Sequence, residues 1–234
     1  MNDQGLDRGI SRRHLLLGLG LGATALAAGC TTGPRARILG TYDGGAPLPE
    51  YDSGGLAANY GPIEDGGYQI PAINPKRVDP KFFRKTVAYD GKEAAGTLIV
   101  DPGNYYVYRV EGDGSATRYG ANVGRDGFRW SGDAYVGRKS EWATWTPPRE
   151  MIKRQPEVAQ YARGMPGGLE NPLGARTLHL YQNGAYTLYT IYASSDPESI
   201  GSGVTSGCVG LLSQDMIHLY QRTPVKTKVV VLPA

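Results

Sequence analysis

The chain has 234 residues, and its 25 Lys and Arg against 22 Asp and Glu leave a net charge of +3, too small to imply a nucleic-acid or membrane-surface partner. Its 34 glycines, 16 prolines and 16 tyrosines, with an apolar content of 40%, fit a turn-rich β domain with aromatic strands better than a helical bundle. Two cysteines and three scattered histidines exclude a disulfide scaffold and a zinc finger, and no metal is expected.

Residues 1–30 read as an export signal, which points to the periplasm or cell envelope. Arg12-Arg13 followed by leucines resembles a twin-arginine signal, and the apolar run is too short to span a membrane. Leu26-Ala27-Ala28-Gly29-Cys30 resembles a lipobox with its leucine one place further back than usual, making Cys30 the candidate lipidation site and membrane anchor. A free thiol in a cleaved peptide is the plainer alternative for Cys30. Gly18-Leu19-Gly20-Leu21-Gly22 lacks the preceding strand and following acid of a dinucleotide loop, so no cofactor is expected from it.

From 31 to 79 the chain is rich in Gly, Pro, Asn, Asp and Tyr and has no periodicity, which reads as a tether and irregular lead-in. Tyr51, Tyr60, Tyr68 and Ile70 are its candidate contacts with the domain. Beyond Pro80 strands dominate. Thr97–Val100 and Tyr105–Val110 flank Asp101-Pro102-Gly103-Asn104 as a hairpin, and residues 111–114 turn the chain into a strand at 116–120. Arg149 to Ala162 is helical, interrupted at Pro156. Leu178–Tyr181 and Tyr186–Tyr192 form a second hairpin about Asn183-Gly184, the favoured type I′ pair. Ser213 caps a helix running to about Arg222, and residues 228–232 form a buried strand. The sum is a mainly β single domain over 80–234 with two short helices.

One segment looks like a reactive site, Ser199-Ile200-Gly201-Ser202-Gly203-Val204-Thr205-Ser206-Gly207-Cys208-Val209-Gly210. Glycines admit backbone amides to a reacting carbonyl, and a following helix start would lower the thiol pKa. Two readings stand: a thiolate nucleophile with an oxyanion hole from the amides of Ser206, Gly207 and Cys208, or an inert cysteine in a glycine loop.

At this point the sequence resembles the L,D-transpeptidases with the YkuD catalytic domain. The likeness runs from roughly Ile63 to Leu232, through Pro80-Lys81-Phe82, Arg118-Tyr119-Gly120, Val136-Gly137-Arg138-Lys139, Trp145-Thr146-Pro147-Pro148, Gly164-Met165-Pro166-Gly167-Gly168, Asn171-Pro172-Leu173-Gly174-Ala175-Arg176 and Ser206-Gly207-Cys208. It implies a YkuD-like β-sandwich or barrel and an exported enzyme acting on peptidoglycan stem peptides. In that scheme the cysteine attacks an L,D peptide bond, forms an acyl-enzyme, and is released by an amine. The alternative is an inactive envelope lipoprotein that binds peptidoglycan or a partner.

The sequence also departs from the family pattern. Where members read His-Gly-Thr, this chain has Tyr192-Ala193-Ser194, and where they carry Arg two residues after the cysteine it has Gly210. The base position is therefore a phenol, a poor base for a thiol near neutral pH. With Asn183-Gly184 centring the turn, His179 falls opposite Leu188, about 13 Å along the strand from Tyr192 at 3.3 Å per residue. His218 falls on the wet side of its helix. Trp130, Trp142, Trp145 and Tyr135 are candidate groove aromatics or plain structural anchors. Arg125, Arg129, Arg138 and Lys139 are candidate partners for stem-peptide carboxylates or solvated loop charge. Asp196 and Glu198 do not make a glycosidase pair on sequence spacing.

Overall fold

A computed structural model of the chain describes residues 55–124, 130–205 and 208–234. The export signal, the tether with Tyr51, the proposed anchor Cys30, Arg125, Arg129, Ser206 and Gly207 lie outside the described residues. The body is a largely antiparallel sheet that closes on itself. Its strands are β3 (Lys85–Ala88), β4 (Leu98–Asp101), β5 (Tyr106–Val110), β6 (Ser115–Gly124), β7 (Gly132–Glu141), β8 (Arg176–Gln182), β9 (Ala185–Ala193), β10 (Gly203–Thr205), β11 (Val209–Leu211) and β12 (Lys228–Val231). They run β6-β11-β9-β8-β7-β12-β4-β5, and a further β5–β6 pairing closes the ring into a β-barrel. β6 is long enough to do this, since residues 116–120 pair with β5 while Ala121 and Asn122 pair with β11.

Alternation then decides what fills the barrel. Leu178 and Leu180, Ile191 and Ala193, and Val209 and Leu211 point inward from three adjacent strands and are fully buried. Helix α3 (Ser213–Gln221) packs on β8 and β9 with Met216, Ile217 and Leu219 in the same core. Burying side chains of this kind contributes roughly 1.5–3 kcal/mol each, which is what holds so short a helix in place. Leu212 is its N-cap residue and no side chain caps it. Ser213, expected as the cap, turns its hydroxyl to the Ser194 carbonyl instead.

Both hairpins form where the sequence marks them. Asn183 and Gly184 have φ of 51° and 80°, as a type I′ turn requires. The second helical stretch is α2 (Arg149–Arg154) followed, at Pro156, by a 3-10 helix over Pro156–Tyr161. Ahead of the barrel, the lead-in carries local order too short to leave a periodicity: α1 (Gly55–Tyr60) and the paired strands β1 (Ile63–Asp65) and β2 (Tyr68–Ile70). It is tied down by polar contacts as well as by Ile70 in the main core. Tyr60 donates to both carboxylate oxygens of the buried Asp215 at 3.0 and 3.1 Å, and Arg84 reaches the same carboxylate at 3.1 Å. Asp65 accepts from Arg176 at 2.6 and 2.7 Å and from the Trp142 indole at 2.8 Å. Among the described residues no helix is long and apolar enough to cross a membrane.

Candidate active site

Cys208 stands one residue before β11, a strand threaded between β9, parallel, and β6, antiparallel. Val209 and Leu211 face the core, so Cys208 and Gly210 face the opposite surface of the sheet. The Thr205 hydroxyl donates to the Cys208 carbonyl at 2.6 Å and fixes the loop. The partly buried sulfur lies 4.0 Å from the Leu188 carbonyl and accepts a hydrogen bond from the Thr190 amide. Burial pushes the thiol pKa up, and the Thr190 N–H only partly offsets this. The sequence expectation of a cysteine at a helix start is thereby corrected. β11 intervenes, α3 begins only at Ser213, and no helix dipole reaches the sulfur.

Tyr192 is the register partner of Gly210 and shares the outer face with Cys208. Burial, and then the nearby Cys208, push its phenol pKa upward, so it is a neutral hydroxyl across the physiological range. The space beyond Gly210 is already taken. A Cβ there would sit 2.3 Å from Asn122 Oδ1, and the Gly210 amide donates to that oxygen at 2.8 Å. Asn122 is 1% exposed. Its Nδ2 donates to Ser199 at 2.6 Å and to Ser194 at 3.3 Å, and the carboxamide also bonds the Tyr192 phenol. The Tyr192 phenol and the Asn122 carboxamide thus meet beside Gly210.

The β8–β9 register departs from the simple turn count. Tyr181 pairs with Tyr186, but His179 pairs with Thr190, so two residues have slipped. The slack is taken up at Leu188, which has φ of 69° and is 76% exposed. His179 is therefore opposite Thr190 and only one diagonal from Tyr192, not four residues along the strand. It is 5% exposed, and its Nδ1 lies 3.3 Å from Thr190 Oγ1 and 3.5 Å from Arg138. Nε2 lies 3.2 Å from Thr177 Oγ1 and 3.4 Å from Ser140 Oγ. Burial, and then Arg138, bring the imidazole down to about 4.

His218 is also corrected. Its Nδ1 is 2.9 Å from the Tyr119 hydroxyl, and burial together with Arg84 and Arg222 lowers it to about 4. Its helical position pointed to water, but a fully buried tyrosine from β6 reaches it.

Among the expected aromatics, Trp142 is held by Asp65 and stacks with Tyr68, and Trp145 bridges to Met165 and touches Tyr161. Trp130 stacks on Tyr189, next to Thr190. Lys139 is committed to the Tyr220 carbonyl and ring, and Glu198 pairs with Arg77 while Asp196 caps a 3-10 turn. Among the described residues no three His, Cys, Asp or Glu side chains converge to hold a metal. Asn122 and Thr190 are the site residues that sequence reasoning missed. Asn122 had one readable signal, a lone carboxamide inside the run Tyr119-Gly120-Ala121-Asn122-Val123.

The model of the L,D-transpeptidase catalytic domain, YkuD, matches residues 95–231. A putative L,D-transpeptidase encoded in the ATP synthase subunits region of Fuscovulum blasticum is 31% identical over 97 residues, 42% of this chain and 47% of that protein. The probable L,D-transpeptidase ErfK/SrfK of Escherichia coli K12 is 32% identical over 101 residues, 42% of this chain and 30% of that one. The matches thus span less than half the length of these relatives. A solved structure from Brucella melitensis, titled a probable carnitine operon oxidoreductase caia, is 38% identical and covers 68% of this chain and 99% of its own, with a TM-score of 0.47. The activity in that title is stated of that protein alone.

Proposed function

The chain belongs to the L,D-transpeptidase catalytic-domain family, and from that premise we propose that it is an exported cysteine acyltransferase acting on peptidoglycan stem peptides, with Cys208 as its nucleophile. The observation that carries the reading is that Cys208 is the single cysteine within the matched residues 95–231. Its place on the outer sheet face, beside an amide donor, supports it. In the reaction the sulfur adds to the carbonyl carbon of an L,D peptide bond. The C–N bond breaks, the amine leaves with a proton, and a thioester remains. An acceptor amine then attacks the thioester and restores the thiol. Backbone amides near Ser206, Gly207 and Cys208 are the proposed donors to the developing oxyanion. Trp145 and Arg138 remain the proposed contacts for the stem peptide, and Cys30 the proposed lipid anchor in the envelope. Gly210, also a proposed stem-peptide contact, has only backbone to offer, and its amide is already donated to Asn122 Oδ1 at 2.8 Å.

A second reading, a peptidoglycan- or partner-binding lipoprotein without turnover, is favoured by one feature: the thiol pKa is raised and the base position holds a neutral phenol. Incubation with a carbapenem separates the two. The enzyme gains the drug's mass on the peptide containing Cys208, and Cys208→Ala does not. A wild-type protein that takes no adduct, yet sediments with purified sacculi as well as Cys208→Ala does, supports the binding module instead.

A further inference from the structure

The irregularity in the β8–β9 hairpin lies beside the thiol. On β9, residues 187–189 stand opposite the single residue Leu180, between the Tyr181–Tyr186 and His179–Thr190 pairs. Thr187 pins this bulge: its hydroxyl donates to the Leu180 carbonyl at 2.7 Å and accepts from the Tyr189 amide at 3.3 Å. Two backbone groups at the end of the bulge face the sulfur, the Leu188 carbonyl at 4.0 Å and the Thr190 N–H. We propose that Leu188 is a specificity-determining residue of this site: with the ring of Tyr186 it forms an apolar wall beside Cys208 that selects acyl donors carrying a compact apolar group next to the reacting carbonyl. This rests on Cys208 being the nucleophile.

Leucine suits neither this backbone nor this exposure. Its φ of 69° lies in the left-handed region that glycine enters freely and a bulky side chain does not. The other non-glycine residues with positive φ, among the described residues, each have a visible reason. Tyr105 packs on the buried cluster of Phe82 and Leu212, Trp142 is held by Asp65, Asn183 makes the hairpin turn, and Lys226 is polar. Leu188 has no such reason. It is 76% exposed, more than Leu169, Val225 or Tyr186, the other large apolar side chains left open to water among the described residues. The bulge would form more readily around glycine, and no packing inside the chain compensates the leucine. A bound molecule would, and strained residues of this kind gather at ligand sites.

Alternation puts the side chain on the useful side. Tyr189 packs against the main core, which leaves Leu188 to the outer face that carries Cys208. Tyr186 extends the wall. Its hydroxyl bonds Thr190 Oγ1 at 2.7 Å, and its ring lies 5.5 Å from both His179, edge-on, and Tyr181, so it presents a fixed surface. Burial raises its phenol pKa and the Thr190 bond lowers it; Cys208 adds a further rise, as a thiolate nearby does. A carbonyl carbon brought to the sulfur therefore arrives with Leu188 and Tyr186 beside it. A polar group at that point loses water without gaining a partner from the leucine, whereas an apolar group is buried favourably.

The test compares two maleimides, N-methyl and N-cyclohexyl, on the full chain, with adducts read by mass on the Cys208 peptide. Both carry their substituent beside a carbonyl, and the ratio of their rates cancels differences in thiol ionisation. Normalised to the same ratio for N-acetylcysteine, wild type should favour the cyclohexyl reagent about fourfold, the factor that one buried methylene gives. Leu188→Gly and Leu188→Asn both accept positive φ and should bring the ratio to about one. Leu188→Met stays apolar and should keep it. A wild-type ratio of about one, a preference that survives either Leu188→Gly or Leu188→Asn, or one lost in Leu188→Met overturns the proposal. If the maleimide pattern holds while a carbapenem leaves no adduct on Cys208, the acyltransferase reading fails and the apolar contact stands; an adduct without the pattern fails the wall alone.

Discussion

Gly210→Ala is the sharpest test of the idea that Asn122 fills the space beside this position. The new methyl would lie 2.3 Å from Asn122 Oδ1 and 3.0 Å from both Cγ and Nδ2. No rotamer choice relieves this, because alanine has none. Either β11 shifts, an overpacking cost of about 1–3 kcal/mol, or Asn122 withdraws. Withdrawal breaks its bonds to the Gly210 amide, Ser199 and Ser194, each worth about 1 kcal/mol net. The first route thus centres on about 2 kcal/mol and the second on roughly 3, which puts the gross loss at about 2–3 kcal/mol. The lower chain entropy of alanine in the unfolded state returns about 0.4–1 kcal/mol. A net loss near 2 kcal/mol corresponds to a fall in Tm of about 4–8 °C for a domain of this size. Thermal unfolding followed by circular dichroism measures it. The double change with Asn122→Ala should be less destabilising than the sum of the single changes by about 1 kcal/mol or more. A Tm within about 1 °C of wild type for Gly210→Ala, or strict additivity with Asn122→Ala, would refute the reasoning. By the same clash, placing arginine at 210 without first shortening Asn122 should destabilise the site.

Asp65→Asn should cost about 1–2 kcal/mol, because the nearly buried Arg176 loses its short ion pair and keeps only Glu141 at 3.6 Å and the Ala175 carbonyl at 2.8 Å; urea unfolding checks it. Burial alone would raise the Asp65 carboxyl, but hydrogen bonds from Arg176 and Trp142 hold it below the usual range, so its contribution is present above the unfolded pKa and fades as the pH falls below about 4. Asp215 has the opposite sign: burial outweighs Arg84 and Tyr60 and raises it to about 7, so the contribution present at acid pH is lost as the pH rises from about 4 through 7. Stability against pH for Asp215→Asn should lack that decline, and an unchanged slope would count against it. Leu188→Gly should hold or raise Tm, because an exposed leucine at φ 69° stores about 1 kcal/mol that glycine does not; a clear fall in Tm would show that the leucine packs on something else.

How much of this was readable depends on whether the cause was local. The Asn183-Gly184 turn was legible because a two-residue pair fixes its own dihedrals. The hairpin's register was not, because the slip sits at Leu188, a residue with no intrinsic preference for positive φ. That single slip changes the surroundings of His179. It moves His179 from opposite Leu188 to opposite Thr190, into line with Cys208. The glycine at 210 was legible, but the side chain packed against it was not, since Asn122 lies 88 residues earlier and arrives by β6–β11 pairing. The environment of Cys208 failed for a related reason. Val209-Gly210-Leu211 is too short to announce a strand, so the sulfur read as lying at a helix start, whereas pairing with β9 and β6 makes those three residues a buried strand. Local chemistry therefore named the nucleophile, while long-range pairing chose its neighbours. With a neutral phenol at position 192, those neighbours set how readily the thiol ionises.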